Sequence, residues 1–134
     1  MVQPDAIAER NRRFASGDHE GLVCVFMGAT SGIGLATLRR LLTMVRSSTF
    51  YVLGRDPSRY ASELAGLREL APSSKINFIE VQVSIISDID AASEQIKSAE
   101  EKVDILCMSP GGMPFQGAVC KYMLVPWRRL LGDT

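Results

Sequence analysis

The sequence predicts an α/β fold, a Rossmann-type doubly wound parallel sheet seen in its N-terminal half only, with about four strands and three crossover helices. Two observations predict it. Short apolar runs of strand length alternate with longer stretches whose apolar residues recur at helical spacing, an order that implies parallel strands with helices on both faces. The first such run enters its helix through a glycine-rich turn, G-A-T-S-G-I-G at residues 28–34.

Taken in order, residues 4–15 read as a short helix with Pro4 suited to its first turn, and Ile7, Ala8 and Phe14 as its packing side chains. Ser16-Gly17-Asp18 reads as a turn. Leu22 to Met27 is continuously apolar, as a strand buried on both faces requires. After the glycine turn, Ile33, Ala36, Thr37, Leu38, Leu41, Leu42 and Val45 recur at helical spacing. Phe50 to Leu53 is a second β-prone run closed by Gly54. Pro57 opens a helix carrying Tyr60, Leu64, Leu67 and Leu70, and Pro72 lies just past its end. Ile76 to Val83 reads as a third strand. Ser87-Asp88 suits a cap for a helix running to about Glu101 with Ile89, Ala92, Ile96 and Ala99 inward. Val103 to Met108 is a fourth strand, followed by Pro110-Gly111-Gly112. The expected organisation is a helix and turn at 1–20, a partial dinucleotide-binding domain at 21–115 and an irregular tail at 116–134.

Composition narrows the function. Fifteen basic residues balance fifteen acidic ones, which leaves no electrostatic case for nucleic acid or an anionic membrane. The apolar run at 22–27 is too short to span a bilayer, and the charged N-terminus lacks the apolar region of a secretory signal. The three cysteines, Cys24, Cys107 and Cys120, have no metal-ligand spacing and read as buried free thiols of a reducing, cytoplasmic compartment. No metal site is expected.

The glycine turn carries the chemistry. Pyrophosphate needs backbone N–H donors at close range and a positive field, and a helix N-terminus supplies both. Gly28 allows the tight exit from the strand, Gly32 lets the backbone approach phosphate, and Gly34 lets the helix pack against the strand. Thr30 and Ser31 add hydroxyls, and Ile33 lies between the last two glycines. At the end of the second strand, where an acidic side chain would hold the ribose of NAD, the sequence has Arg55. A guanidinium there suits a 2′-phosphate and favours NADP (NADPH), although Asp56 follows directly.

These residues resemble the short-chain dehydrogenase/reductase family. Its T-G-x-x-x-G-x-G motif is matched by Gly28, Gly32 and Gly34, with Met27 in place of the Thr. Val52-Leu53-Gly54-Arg55 looks like the NADP-preferring end of the second strand, and Asp104-Ile105-Leu106 like the start of D-I-L-V-N-N-A-G. The run V-F-M-G-A-T-S-G-I-G-L-A-T-L is similar to fungal members of secondary-metabolite pathways, and the resemblance covers about residues 2–117. It implies hydride transfer between NADPH and a small-molecule carbonyl or alcohol. It also implies that Gln82 and Val83 lie at the adenine, where the family carries an Asp, and that Gly111 survives from N-N-A-G. The family's proton-transfer pair, a Tyr with a Lys four residues later on one helix face, has no counterpart. Tyr51, Tyr60 and Tyr122 are followed at that spacing by Arg55, Leu64 and Pro126, so no catalytic residue is assigned.

His19 reads as a solvated turn residue and Lys97, Glu100, Glu101 and Lys102 as the wet end of a helix. Trp127 with Arg128 and Arg129 suits a partner contact or an unstructured tail. Three functional readings stand side by side. The first is a working reductase with an unrecognised acid. The second is a nucleotide-binding module or pseudoenzyme. The third is a truncated product of a full enzyme's gene, cut after a fourth strand that is left as an exposed edge.

Overall fold

A computed structural model describes residue 1 and residues 3–111. Gly112, Cys120 and the tail at 116–134 lie outside the described residues. The elements are α1 (Pro4–Ala15), β1 (Val23–Met27), α2 (Gly32–Leu42), β2 (Thr49–Gly54), α3 (Pro57–Leu70), β3 (Lys75–Glu80), α4 (Ile86–Ala99) and β4 (Ile105–Met108). The strands form one parallel sheet in the order β3-β2-β1-β4, with Val25 opposite Tyr51 and Leu106 on its two neighbours. The four strands and the three helices between them have the expected doubly wound arrangement.

Strand alternation builds two cores. Cys24, Phe26, Phe50, Val52 and Ile76 point to the face covered by α2 and α3, where they meet Leu38, Leu42, Tyr60 and Leu67. Val23, Val25, Tyr51, Leu53 and Ile79 point to the other face, where α4 supplies Ala92 and Ile96. Phe26 and Phe50 are fully buried, and each such side chain contributes roughly 2–3 kcal/mol. β1, and β2 from Phe50 to Leu53, are apolar on both faces because helices cover both of them. β4 pairs only with β1 among the described residues; Ile105 and Cys107 pack inward while Leu106 and Met108 are exposed. Asp104 clips the entry to β4 onto β1, accepting from the Val23 amide at 2.8 Å and pairing with Lys102 Nζ at 2.9 Å. Those two contacts hold its carboxyl below the usual range, the Val23 bond most strongly.

Several expectations change in detail. α1 buries none of its residues: Phe14 packs against the core cluster, whereas Ile7 and Ala8 face solvent. His19 is half-buried, stacked on Phe14 with ring centroids 3.8 Å apart, because the turn folds it back over the helix end. In α2 the inward residues are Gly34, Leu35, Leu38, Leu41 and Leu42, while Ile33, Ala36 and Thr37 face out. Leu70 and Ala99 are the last residues of their helices and are exposed. β3 stops at Glu80, so Gln82 and Val83 belong to a loop. Asp88 does not cap α4, which starts earlier behind Ile85; from the first turn its carboxylate accepts the Gln82 amide at 3.1 Å. Glu100 is half-buried and accepts from the Tyr51 hydroxyl at 2.7 Å.

Candidate functional site

The carboxyl ends of β1, β2 and β3 open into one cleft of about 900 Å³. In an open α/β sheet this is where ligands bind. All ten residues singled out from the sequence line it: Gly28, Thr30, Ser31, Gly32, Ile33, Gly34, Arg55, Gln82, Val83 and Gly111. Residues 70 or more positions apart in the chain thus share one wall system, because the parallel strands all end on the same side.

The glycine turn is made by backbone. Gly28 leaves β1 at φ +86°, and a Cβ there would collide with the Ser109 carbonyl. Gly34 lies in α2 where a Cβ would collide with the Gly28 carbonyl, so only glycine lets the helix seat on the strand exit. Gly32 has φ +61° with open space around the missing Cβ, which leaves its backbone bare on the cleft side. Ser31 precedes α2 in extended conformation with no side-chain cap on the helix. The orphan first-turn amides of α2 and the positive end of its dipole therefore face the cleft with the Ser31 and Thr30 hydroxyls beside them.

The other walls are made by side chains. Arg55 is exposed at the end of β2. Its acidic neighbour Asp56 is the N-cap of α3, accepting the Arg59 amide at 3.0 Å, and does not line the cleft. The Gln82 carboxamide donates to Ser84 Oγ at 3.3 Å, which leaves its oxygen free to accept. Gly111, at φ +137°, closes the far side with Ser109 and Pro110, and the Ser109 amide donates to the Met27 carbonyl at 2.8 Å.

Sequence reasoning did not single out Leu53, Val81 and Ser84 as lining residues. Leu53 and Val81 lie at or just past their strand ends, so strand-end position was the available signal. Neither described tyrosine of the core lines the cleft: Tyr51 is bonded to Glu100, and the Tyr60 hydroxyl donates to the Ala29 carbonyl at 3.3 Å. Burial first, then Glu100, pushes the Tyr51 hydroxyl up to about 12; burial first, then Glu63, does the same for Tyr60. Among the described residues no group of three His, Cys, Asp or Glu side chains converges as a metal site would require, and no helix is long and apolar enough to cross a membrane.

The family model described as short chain dehydrogenase matches residues 22–130. The chain is 44% identical over 119 residues to the NmrA-like family domain-containing oxidoreductase notO of an Aspergillus species, covering 87% of this chain and 36% of that protein. It is 40% identical over 96 residues to an oxidoreductase of Emericella nidulans, covering 72% of this chain and 29% of the relative. The chain therefore spans about a third of the length of these curated relatives. Among solved structures, L-sorbose reductase from Gluconobacter frateurii, complexed with NADPH and L-sorbose, superposes with a TM-score of 0.61 at 24% identity over 78% of this chain and 40% of that one. A metagenomic short-chain oxidoreductase in complex with NADP gives a TM-score of 0.62 at 21% identity over 72% of this chain and 42% of that one. These structural likenesses carry the fold, and the family match carries the kinship: the chain belongs to the short-chain dehydrogenase family.

Proposed function

We propose that residues 21–111 form the NADP-binding half of a short-chain dehydrogenase/reductase that acts on a small-molecule carbonyl or alcohol, in fungal secondary metabolism. The observation that carries this reading is the shared cleft, in which a bare-backbone helix N-terminus and an arginine stand at the ends of adjacent parallel strands. In this reading Gly28, Thr30, Ser31, Gly32, Ile33 and Gly34 hold the pyrophosphate and the adjoining ribose. Arg55 pairs with the 2′-phosphate, Gln82 and Val83 meet the adenine edge, and Gly111 lines the nicotinamide side. The capping of α3 by Asp56 favours NADP over NAD, since it commits the nearby carboxylate to a helix end and away from the cleft. When bound, the cofactor would give a hydride to a carbonyl or take one from an alcohol; the chain's own residues bind, orient and exclude water around it.

A second reading, nucleotide binding without turnover, is favoured by one observation: Tyr51 and Tyr60 are both committed to hydrogen bonds away from the cleft. Proton transfer would then need a group outside the described residues. Fluorescence titration of the purified chain tests binding first. We expect NADPH to bind at least about tenfold more tightly than NADH, the value of one charge-assisted contact. The absence of any NADPH response, in fluorescence and in thermal stability, would overturn the binding reading. Consumption of NADPH with a panel of ketones selects the first reading over the second.

A further inference from the structure

Tyr60 is a buried side chain with a hydroxyl that the proposed function leaves unused. It lies in the first turn of α3, 4% exposed, with its ring 5.2 Å from that of Phe78. Its hydroxyl donates to the carbonyl of Ala29, a fully buried residue inside the glycine turn. α3 is thereby tied to the turn at its start. It is tied a second time further along, where Glu63 pairs with Arg39 of α2, the helix that the turn opens. The floor between these ties is close-packed: a Cβ at Gly54 would stand 2.8 Å from both Phe78 Cζ and Thr30 Cγ2. α3 also begins two residues after Arg55, with Asp56 capping it. One helix is therefore joined both to the backbone that carries Arg55 and to the glycine turn.

We infer that Tyr60 is a positioning residue, which through its bond to the Ala29 carbonyl holds the glycine turn in register with the Arg55 side of the cleft. The inference rests on the cofactor reading above. Hydrogen bonding to a turn carbonyl fixes the peptide planes that aim the neighbouring N–H groups, so its loss is felt most by a ligand whose pyrophosphate those N–H groups hold and least by one that lacks a pyrophosphate. The hydroxyl remains a donor at every pH used for such assays, because burial holds it protonated up to about 12.

Two ligands separate the effects. NADPH spans the turn and the arginine, whereas adenosine 2′-monophosphate carries the adenine, ribose and 2′-phosphate without the pyrophosphate. In calorimetric titrations of the full chain, Tyr60→Phe should weaken NADPH about fivefold, the value of one neutral hydrogen bond, and leave the monophosphate within about twofold. Phe78→Leu damages the same aromatic pair but spares the hydroxyl. It should lower the melting temperature at least as much as Tyr60→Phe without changing the ratio of the two affinities. Placing 4-aminophenylalanine at position 60 restores a donor and should restore NADPH binding, which also serves if Tyr60→Phe does not fold. Unchanged NADPH affinity in Tyr60→Phe, equal weakening of both ligands, or no rescue by the amine each overturns the role of Tyr60. A wild-type chain that binds neither ligand overturns the cofactor reading itself, and this inference with it.

Discussion

The two sides of the cleft are built differently. The turn at 28–34 is made of backbone: two glycines at positive φ, a third under a carbonyl, and uncapped amides at the start of α2. The opposite side is made of side chains, the Arg55 guanidinium and the Gln82 carboxamide, set on loops just past β2 and β3. Backbone donors serve any dinucleotide, since every one has a pyrophosphate. Side chains carry the choice between ligands, and they can be exchanged without disturbing the sheet. The turn should therefore respond to substitution through stability, and the arginine side through selectivity.

The strongest way to break this contrast is Gly34→Ala. Its Cβ meets the Gly28 carbonyl, so α2 must move off the strand exit; overpacking of this kind should cost about 3 kcal/mol or more, read as a large fall in chemical-denaturation midpoint. A chain of unchanged stability would show that the turn is not the rigid part.

Alkaline titration comes next and probes the core beneath the cleft. Burial first, then Asp104, raises the Cys24 thiol from 9.0 to about 11, and Tyr51 and Tyr60 rise from 10.0 to about 12. A group whose pKa is raised on folding stabilises fully below its unfolded value and loses that contribution as pH climbs through the folded one. Thermal stability should thus fall from about pH 9 upward, first through Cys24 and then through the tyrosines, with Cys24→Ala removing the earlier part.

Arg55→Glu tests the side-chain half. Reversing the charge should weaken NADPH by about 10- to 100-fold, leave NADH nearly unchanged and leave the melting temperature within a degree or two of wild type, because Arg55 is exposed. An unaltered preference removes the 2′-phosphate assignment. The smallest effect is expected from Asp56→Asn, which keeps a good cap on α3 and removes a negative charge one residue from Arg55. NADPH should tighten by about twofold at low salt, and the gain should vanish as salt screens it. Weaker binding would mean that the carboxylate, and not the cap, positions Arg55.

The sequence by itself determined the order of elements, the glycine turn and ten of the residues that line the cleft, though not Leu53, Val81 or Ser84. Strand runs such as Val23–Met27 and the stretch from Phe50 to Leu53 are apolar on both faces, and this local pattern reports burial between helix layers directly. Gly28 and Gly34 were legible because each solves a local problem, a strand exit and a helix seating, within a few residues. Helix ends and solvent-facing positions were less legible. Ile33, Leu70 and Ala99 fit the apolar period yet lie outside, and α4 begins before Ser87, because packing against the sheet outweighs local spacing and capping preference. Only the tertiary structure decided the long-range hydrogen bonds. That Asp104 clips β1, that Tyr51 is spent on Glu100, that Asp56 serves α3 and that Tyr60 reaches Ala29 depend on where helices settle across the sheet. Three of these contacts join residues from 31 to 81 positions apart, and no local pattern encodes such a pairing.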